Sequence, residues 1–374
     1  MNVQPGLMVA AEELFRSDDL LVRRVGGYGG PICYVTFDSY TDNRTLDRPG
    51  FGEDYFRGRG IDAIHVLSRE NRWYQHAELA DALATVAAAV AGYDRVIAYG
   101  SSMGGFAALH YGASSGATIG LALSPQYSVD PAIVPFDRRW AEDVARIAFR
   151  DDERLPTLTE QYIAFDPADA HDRQHFALFA ARSSSRGVPV PHGGHPVGSY
   201  LVETGMLQPL LEKIEGGAFD HRAYARELRR RRRRSGHYFY ILAQRVPAHR
   251  PQQKVALARL AVETHGDNPL YRSQLGAALD AAGDFDAAYA VHAQAIAMSN
   301  ANMFQIHYLM LHHEARGEHE RALAIVEHLI AEHPDVLWLP FERKRVRRRR
   351  RHTTWLGRLG GKLGLDGVLE RLLY

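Results

Sequence analysis

Short, nearly continuous apolar runs alternate with longer amphipathic windows between residue 19 and about residue 215. Near-continuous apolar strands that alternate with helices are typical of a parallel sheet covered on both faces. The pattern therefore predicts an α/β fold built on a doubly wound, mostly parallel sheet. The predicted strands are 32–37, 61–67, 95–99, 117–123, 161–165 and 188–191, and the predicted helices are 51–59, 76–93, 103–111, 169–182 and 196–211.

Strand signals end near residue 217, and the chain that follows repeats with a period of 34 residues. GDFDAAYAVHAQAI begins at Gly283, and GEHERALAIVEHLI begins at Gly317. The period, the glycine between helices and the small residues of the second helix resemble tetratricopeptide repeats, which are stacked helix pairs. An earlier predicted pair, 238–244 and 252–264, would supply a third unit, about the minimum for a stable stack.

These patterns divide the chain into four predicted parts. An α/β domain covers 1–216, a basic helical linker covers 217–250, repeats cover 251–342 and a basic amphipathic tail covers 343–374. The tail places Trp355 and several leucines among glycines and basic residues. A helix that caps the repeat stack is the preferred interpretation, because glycine weakens an isolated helix on a membrane surface. Peripheral membrane contact through this tail is the alternative.

Two arginine-rich runs change the meaning of the small net charge of +1. Residues 229–234 and 343–351 hold six and eight of the 45 basic residues, which leaves 31 basic against 44 acidic residues elsewhere. The runs either bind an anionic partner or pair with the acidic body of the protein. Since no aromatic residues interleave either run, no specific nucleic-acid binding is expected.

The same composition argues for a cytoplasmic protein. The chain has one cysteine, Cys33, in a predicted core strand, so no internal disulfide framework is expected. The N-terminus carries acids where a signal peptide has its apolar stretch. The most apolar window, 79–91, is alanine-rich and contains Asp81, which favours a core helix over a membrane span.

The strongest chemical signal is the sequence Gly100-Ser101-Ser102-Met103-Gly104. It follows the strand-like RVIAYG and opens the helix-like MGGFAALHYG, which is the setting of a nucleophile elbow. Ser102 has glycine at both required offsets, and glycine lets the neighbouring backbone approach closely. The motif predicts a catalytic serine at position 102; a glycine-rich packing turn is the alternative.

A catalytic serine needs a histidine base and an acid that orients the histidine. In this fold the acid follows the serine along the chain, and the histidine follows the acid. The segment VPVPHGGHPVGSYL offers His192 and His195, and His195 is preferred because two glycines precede it and a proline follows it. The H-x-x-H spacing is not expected to bind a metal, and no cofactor is expected. The segment FDPADAHDRQH offers Asp166, Asp169 and Asp172 as the acid, and one of them is suited to cap a helix.

Two further groups of residues are assigned from their places after strands. The backbone N–H groups of Met103 and Ser39 are predicted to form the oxyanion hole. Asn71, Trp73 and Tyr74 follow a strand at the edge where α/β proteins bind ligands. Stacking of the two aromatic rings on a sugar or acyl group and packing in the core are equally compatible with the sequence.

These motifs together resemble a bacterial subfamily of α/β-hydrolase-like proteins associated with polysaccharide or glycoprotein machinery. The resemblance covers 28–215 and rests on VTFDSY, FGEDYFRGRGIDAIHV, NRWYQ, YGSSMGGFAALHYG, LALSPQYSVDP, the DR-x-H that starts at Asp172, and GGHP. The chain is distantly similar to the O-acetyltransferase component of accessory secretion systems, which uses a Ser-acid-His set. The DR-x-H likeness favours Asp172 as the acid, with Asp169 as the alternative.

The resemblance implies a serine esterase or O-acyltransferase that acts on an ester or thioester, with a glycan or glycoprotein as a possible substrate. The repeats imply a protein partner. The alternative is an inactive hydrolase-fold scaffold that recruits a partner through its helical repeats.

Overall fold

The computed structural model describes residues 11–149 and 157–363, with side chains described as far as residue 351. The chain divides into two compact units, Met1–Arg232 and Arg233–Tyr374, and the division falls within the predicted linker. Across the described ranges, no helix is both long and apolar enough to cross a membrane.

An eight-stranded sheet forms the centre of the first unit, in the order β1-β2-β4-β3-β5-β6-β7-β8. Pairing is antiparallel for β1 with β2 and for β2 with β4, and parallel elsewhere. Because β4 and β5 lie on opposite sides of β3, the winding reverses at β3, so the predicted doubly wound, mostly parallel α/β-hydrolase fold is confirmed. The strands are Glu12–Arg16, Leu20–Val25, Ile32–Phe37, Asp62–Ser68, Arg95–Ser101, Ile119–Leu123, Glu160–Phe165 and Arg186–Pro189.

The strand pattern did not predict β1 and β2. Most side chains of β1 are exposed at the edge of the sheet, and β2 carries Arg23 and Arg24 within an otherwise apolar run. Arg23 pairs with Glu53 at 2.7 Å, and Arg24 donates to the carbonyl of Ala89 at 2.8 Å. These polar partners let arginines occupy a strand whose other side chains are buried.

Eight α-helices lie in the described residues of the first unit. The predicted helix over 196–211 is two helices, α6 and α7, because Gly205 adopts φ 65° and ends the first of them. Cys33 is buried as predicted, and burial raises the pKa of its thiol to about 12. The helices α1 to α8 are Glu53–Arg59, Leu79–Val90, Met103–Tyr111, Ala141–Val144, Ala170–Arg182, Gly198–Glu203, Leu207–Glu215 and His221–Arg231.

The second unit is helical throughout the residues described. Its helix pairs α11–α12 and α13–α14 begin and end 34 residues apart, in agreement with the sequence repeat. Gly283 and Gly317 stand at the turns inside the pairs, both with positive φ. The likeness to tetratricopeptide repeats stays a prediction. The helices α9 to α15 are Gly236–Gln244, Pro251–Thr264, Pro269–Ala281, Phe285–Met298, Met303–Ala315, His319–Glu332 and Leu339–Leu363.

Several arginines of both runs pair with acidic residues. In α15, Arg347 contacts Glu327 at 2.8 Å and Arg350 contacts Glu320 at 3.0 Å. In α8, Arg230 contacts Glu227 at 2.8 Å. Pairing with acidic side chains, one of the two interpretations of the runs, therefore describes these arginines. The side chains of Trp355 and of the predicted tail leucines lie outside the described residues.

Candidate active site

Ser102 lies on a sharp turn between β5 and α3. Its backbone is strained, with φ 51° and ψ −117°, and its N–H donates to the carbonyl of Leu123 on β6 at 2.8 Å. A Cβ atom at Gly100 would collide with the carbonyl of Gly104, and one at Gly104 would collide with the carbonyl of Phe37. Both glycines are therefore required for the turn, which holds the serine at the carboxyl end of the central strand.

His195 and Asp172 lie beside this serine. The Oγ atom of Ser102 is 3.0 Å from Nε2 of His195, and Nδ1 of His195 is 2.7 Å from Oδ1 of Asp172. Ser102 and Asp172 are buried, while 14% of the His195 side chain is exposed. An N–H at Nδ1 donated to the carboxylate leaves the lone pair of Nε2 directed at the serine hydroxyl. The three predicted residues thus form one hydrogen-bonded chain along which a proton can move from serine to histidine.

The other two candidate acids have separate structural tasks. Asp169 caps α5 by accepting hydrogen bonds from the backbone N–H groups of His171 and Asp172, both at 3.0 Å. Asp166 accepts from the N–H of His192 at 3.1 Å and from the N–H of Gly194 at 2.9 Å. Asp169 therefore fixes the start of the helix that carries Asp172, and Asp166 fixes the loop that leads to His195.

A second buried histidine and carboxylate stand next to Asp172. His175 accepts from the N–H of Tyr127 at 3.1 Å and donates to Asp137 at 3.0 Å. Arg139 contacts Asp137 at 2.7 Å and lies 3.7 Å from Asp172. Burial lowers the pKa of His175, which favours the neutral ring that this tautomer requires. Arg139 supplies positive charge between the two buried carboxylates.

The two predicted oxyanion donors lie at the start of α3 and in the loop after β3. Met103 is the first residue of α3, where backbone N–H groups lack partners within the helix. Ser39 follows β3, and its hydroxyl donates to the carbonyl of Ser101 at 3.0 Å. Asp38 holds this loop by accepting from Arg48 at 2.7 Å, although burial raises the pKa of Asp38 to about 6. These contacts hold the loop after β3 in place, and the oxyanion role of the two N–H groups stays a prediction.

Asn71, Trp73 and Tyr74 are buried beneath the site. Asn71 binds the backbone of Thr41, accepting from its N–H at 3.1 Å and donating to its carbonyl at 2.9 Å. Tyr74 donates to the carbonyl of Asp38 at 3.2 Å. Because Trp73 and Tyr74 are 0% exposed, core packing describes them, and neither ring offers a surface on which a ligand could stack.

Gln126 contacts the serine and was missed by the sequence reasoning. Its Nε2 donates to Ser102 Oγ at 3.0 Å and lies 3.5 Å from Nε2 of His195. Its Oε1 accepts from the indole N–H of Trp73 at 3.0 Å, which fixes the orientation of the amide. The available signal was its position in the turn after β6, a strand that pairs directly with the elbow strand.

Trp140 is the second residue that was missed. Its ring is half-buried and lies 5.7 Å from the ring of His195, with the Arg139 guanidinium 4.5 Å from its centre. Trp140, Arg139 and Gln126 all belong to the long connection between β6 and β7. A connection of this length commonly carries binding residues, which was the signal for all three.

Comparisons with known proteins give neighbours in fold. No protein-family model matches the chain, and neither does any curated protein. A capsule O-acetyltransferase of Neisseria meningitidis serogroup A is 12% identical at a TM-score of 0.37, with 52% of this chain and 92% of that chain covered. A dienelactone hydrolase from Anabaena variabilis is 15% identical at a TM-score of 0.37, with 54% and 94% covered.

A fluorophosphonate-binding serine hydrolase of Staphylococcus aureus is 11% identical at a TM-score of 0.36, with 59% of this chain and 97% of that chain covered. The structural neighbours are thus α/β serine hydrolases and an O-acetyltransferase. With TM-scores below 0.5, the likeness adds nothing to what the topology and the side-chain geometry of this chain establish.

Proposed function

We propose that the first unit is a serine esterase or O-acyltransferase that acts on an ester or thioester through Ser102. The observation that supports this proposal is the chain of hydrogen bonds from Ser102 through His195 to Asp172, built on a strained strand-to-helix turn. A serine hydroxyl is a weak nucleophile until a base removes its proton, and this arrangement supplies the base and its orienting acid.

In the first half-reaction, Ser102 Oγ attacks the carbonyl carbon while Nε2 of His195 takes the hydroxyl proton. Asp172 stabilises the imidazolium that forms, and the backbone N–H groups of Met103 and Ser39 receive the negative charge on the carbonyl oxygen. His195 then gives its proton to the departing alcohol or thiol. An acyl group is left on Ser102 Oγ.

In the second half-reaction, His195 removes a proton from water or from an acceptor hydroxyl, which attacks the acyl-serine. His195 returns the proton to Ser102 Oγ as the ester bond between Oγ and the acyl carbon breaks. Gln126 is placed to donate a hydrogen bond to Oγ in both halves, since Trp73 holds its amide in one orientation.

We further propose a glycan as the acceptor. Trp140 supports this choice, because a partly exposed indole beside the base can stack on a sugar ring while the sugar hydroxyl faces His195. The sequence resemblance to polysaccharide-associated enzymes points the same way.

Ester turnover tests the proposal. The full chain is expected to hydrolyse p-nitrophenyl acetate, and Ser102→Ala is expected to lose turnover by roughly 10⁴-fold or more. Ser183→Ala, which changes a serine at the far end of α5, is the matched control and should keep the wild-type rate. Equal turnover by wild type and Ser102→Ala would contradict the proposal.

A protein-binding role for the helical unit is a second proposal. Large apolar side chains are exposed on its helices, with Tyr289 50% and Phe304 45% exposed. If wild type shows no turnover, the first unit is better described as an inactive scaffold. Binding of a protein partner by the exposed helical surfaces then becomes the main function.

A further inference from the structure

Three helices of the second unit each bring one buried polar side chain to a common point. Asp280 of α11 contacts Nε2 of His292 on α12 at 3.1 Å and Nδ1 of His312 on α13 at 2.6 Å. One nitrogen or oxygen of each residue lies within 4.8 Å of the others. Both histidine side chains are 0% exposed, and that of Asp280 is 8% exposed. We call these three residues the Asp-His-His cluster.

The sequence repeat provides an internal comparison for the carboxylate. Glu314 lies 34 residues after Asp280, at the same position of the next helix pair, and its side chain is 2% exposed against 8% for Asp280. Arg345 and Arg349 neutralise Glu314 at 2.8 and 3.3 Å. Asp280, within the part of the chain that the structure describes, has ion-pair contacts to the two imidazoles alone. A buried carboxylate without arginine or lysine needs another source of positive charge.

The repeat also shows that packing does not require an imidazole at position 292. Val326 lies 34 residues further on and is fully buried. On α11, a Cβ atom at Gly276 would come within 2.5 Å of the His292 ring. Glycine inside a helix lowers stability. At position 276 it leaves the space that the His292 ring occupies.

Each of the two buried rings has one nitrogen beside Asp280. His292 Nδ1 and His312 Nε2 are buried without a hydrogen-bond partner among the residues described, and an ion beside Asp280 would not contact these two atoms. Both rings direct their other nitrogen at Asp280, so the polar atoms of the cluster converge on one point between three helices.

We propose that the Asp-His-His cluster binds a divalent transition metal ion, with Zn²⁺ as the ion that suits it best. Two imidazole nitrogens and one carboxylate oxygen are a common zinc ligand set, with bonds of about 2.0–2.2 Å in tetrahedral geometry. Ligand atoms around such an ion lie about 3.4 Å apart. The contact of Asp280 with His292, at 3.1 Å, would therefore lengthen slightly, and the contact with His312, at 2.6 Å, would lengthen by about 0.8 Å.

A cleft borders one residue of the cluster. His312 also lines a cleft of about 610 Å³, together with Tyr289, His313 and Arg316. Three protein ligands leave a fourth position for water or an anionic group that enters through the cleft. Because the ligands come from three helices, the bound ion would tie α11, α12 and α13 together. The sequence analysis expected no metal at His192 and His195, which belong to the first unit and not to this cluster.

The test uses the full chain after treatment with a chelator. Wild type is expected to bind about one tight equivalent of Zn²⁺ in calorimetry and to unfold at a higher temperature with the ion present. Co²⁺ as a spectroscopic probe should give the intense visible absorption of a four-coordinate site. Asp280→Asn, which keeps the shape of the side chain, and His312→Gln are each expected to weaken binding by roughly 100-fold or more.

His313→Gln is the matched control, because His313 lines the same cleft but contacts Glu318 instead of the cluster. It should bind Zn²⁺ as wild type does. Absence of tight binding by wild type would overturn the proposal and leave a histidine–carboxylate network with a shared proton. Undiminished binding by Asp280→Asn would also overturn it, since the ion would then sit on other histidines. If one of the two cluster variants fails to fold, the other still tests whether the ion lies at the cluster.

Discussion

The two units each bury histidines against a carboxylate, with different consequences. In the first unit both nitrogens of His195 are engaged, one by Asp172 and the other by the hydroxyl of Ser102. In the second unit His292 and His312 share Asp280, and one nitrogen of each ring has no hydrogen-bond partner in the part described. The first arrangement can take a proton from a nucleophile, and we propose that the second holds a cation. The neighbours of a histidine–carboxylate pair therefore determine its chemistry.

The largest expected effect is a loss of kcat/KM when the acid Asp172 is substituted. Asp172→Asn should lower kcat/KM for p-nitrophenyl acetate by roughly 10⁴-fold, because an amide favours the wrong histidine tautomer. Asp169→Asn is the control, since asparagine also caps a helix and should keep turnover within a few fold. The rates and the unfolding temperatures of both variants are to be compared. An equal loss in the two variants would contradict the assignment of Asp172.

A smaller effect is expected at Gln126. Gln126→Leu removes the hydrogen bond to Ser102 Oγ and should lower kcat by roughly 10-fold, the value of one hydrogen bond of about 1.4 kcal/mol. Trp73→Phe keeps the Gln126 amide but removes the indole hydrogen bond that orients it, so kcat should fall by less than in Gln126→Leu. Steady-state kinetics of both variants measure the difference. Unchanged kcat in Gln126→Leu would show that the contact does not assist the reaction.

The smallest effect concerns a buried histidine that contacts a hydroxyl instead of a carboxylate. His65 lies 2.6 Å from the hydroxyl of Thr36, and burial lowers its pKa from 6.5 to about 4. Between pH 6.5 and about 4 the unfolded chain therefore binds more protons, so stability is highest above pH 6.5 and falls as the pH drops.

His65→Asn removes this titration. The gap in unfolding temperature between wild type and the variant should therefore narrow from pH 7.5 to pH 5 in thermal unfolding monitored by circular dichroism. A gap that is independent of pH would contradict the lowered pKa of His65.

How far the sequence predicts each region follows from how local its signals are. The elbow is five consecutive residues whose glycines are required by backbone contacts, so Ser102 and the strand and helix around it were predictable. His195 and Asp172 follow in a fixed chain order. The Asp-His-His cluster comes from three helices without any local motif. Gln126 and Trp140 come from an irregular connection, whose path depends on tertiary contacts that periodicity does not encode.

The aromatic residues after β4 illustrate the remaining difficulty. Trp73 and Tyr74 follow β4 at the edge where α/β proteins commonly bind ligands, yet both are 0% exposed. The partly exposed ring beside His195 belongs to Trp140. Position along a strand predicts the edge of the sheet but not the burial of a side chain. Burial depends on what the β6–β7 connection covers.

Labelling with a fluorophosphonate probe tests the central claim most directly, because the probe reacts with a serine only when a base activates it. Wild type should gain the mass of one probe, located by peptide mapping on Ser102. Ser102→Ala should gain none, and Ser183→Ala should label as wild type does. Absence of labelling in wild type, or equal labelling of Ser102→Ala, would contradict the assignment of Ser102 as an activated nucleophile.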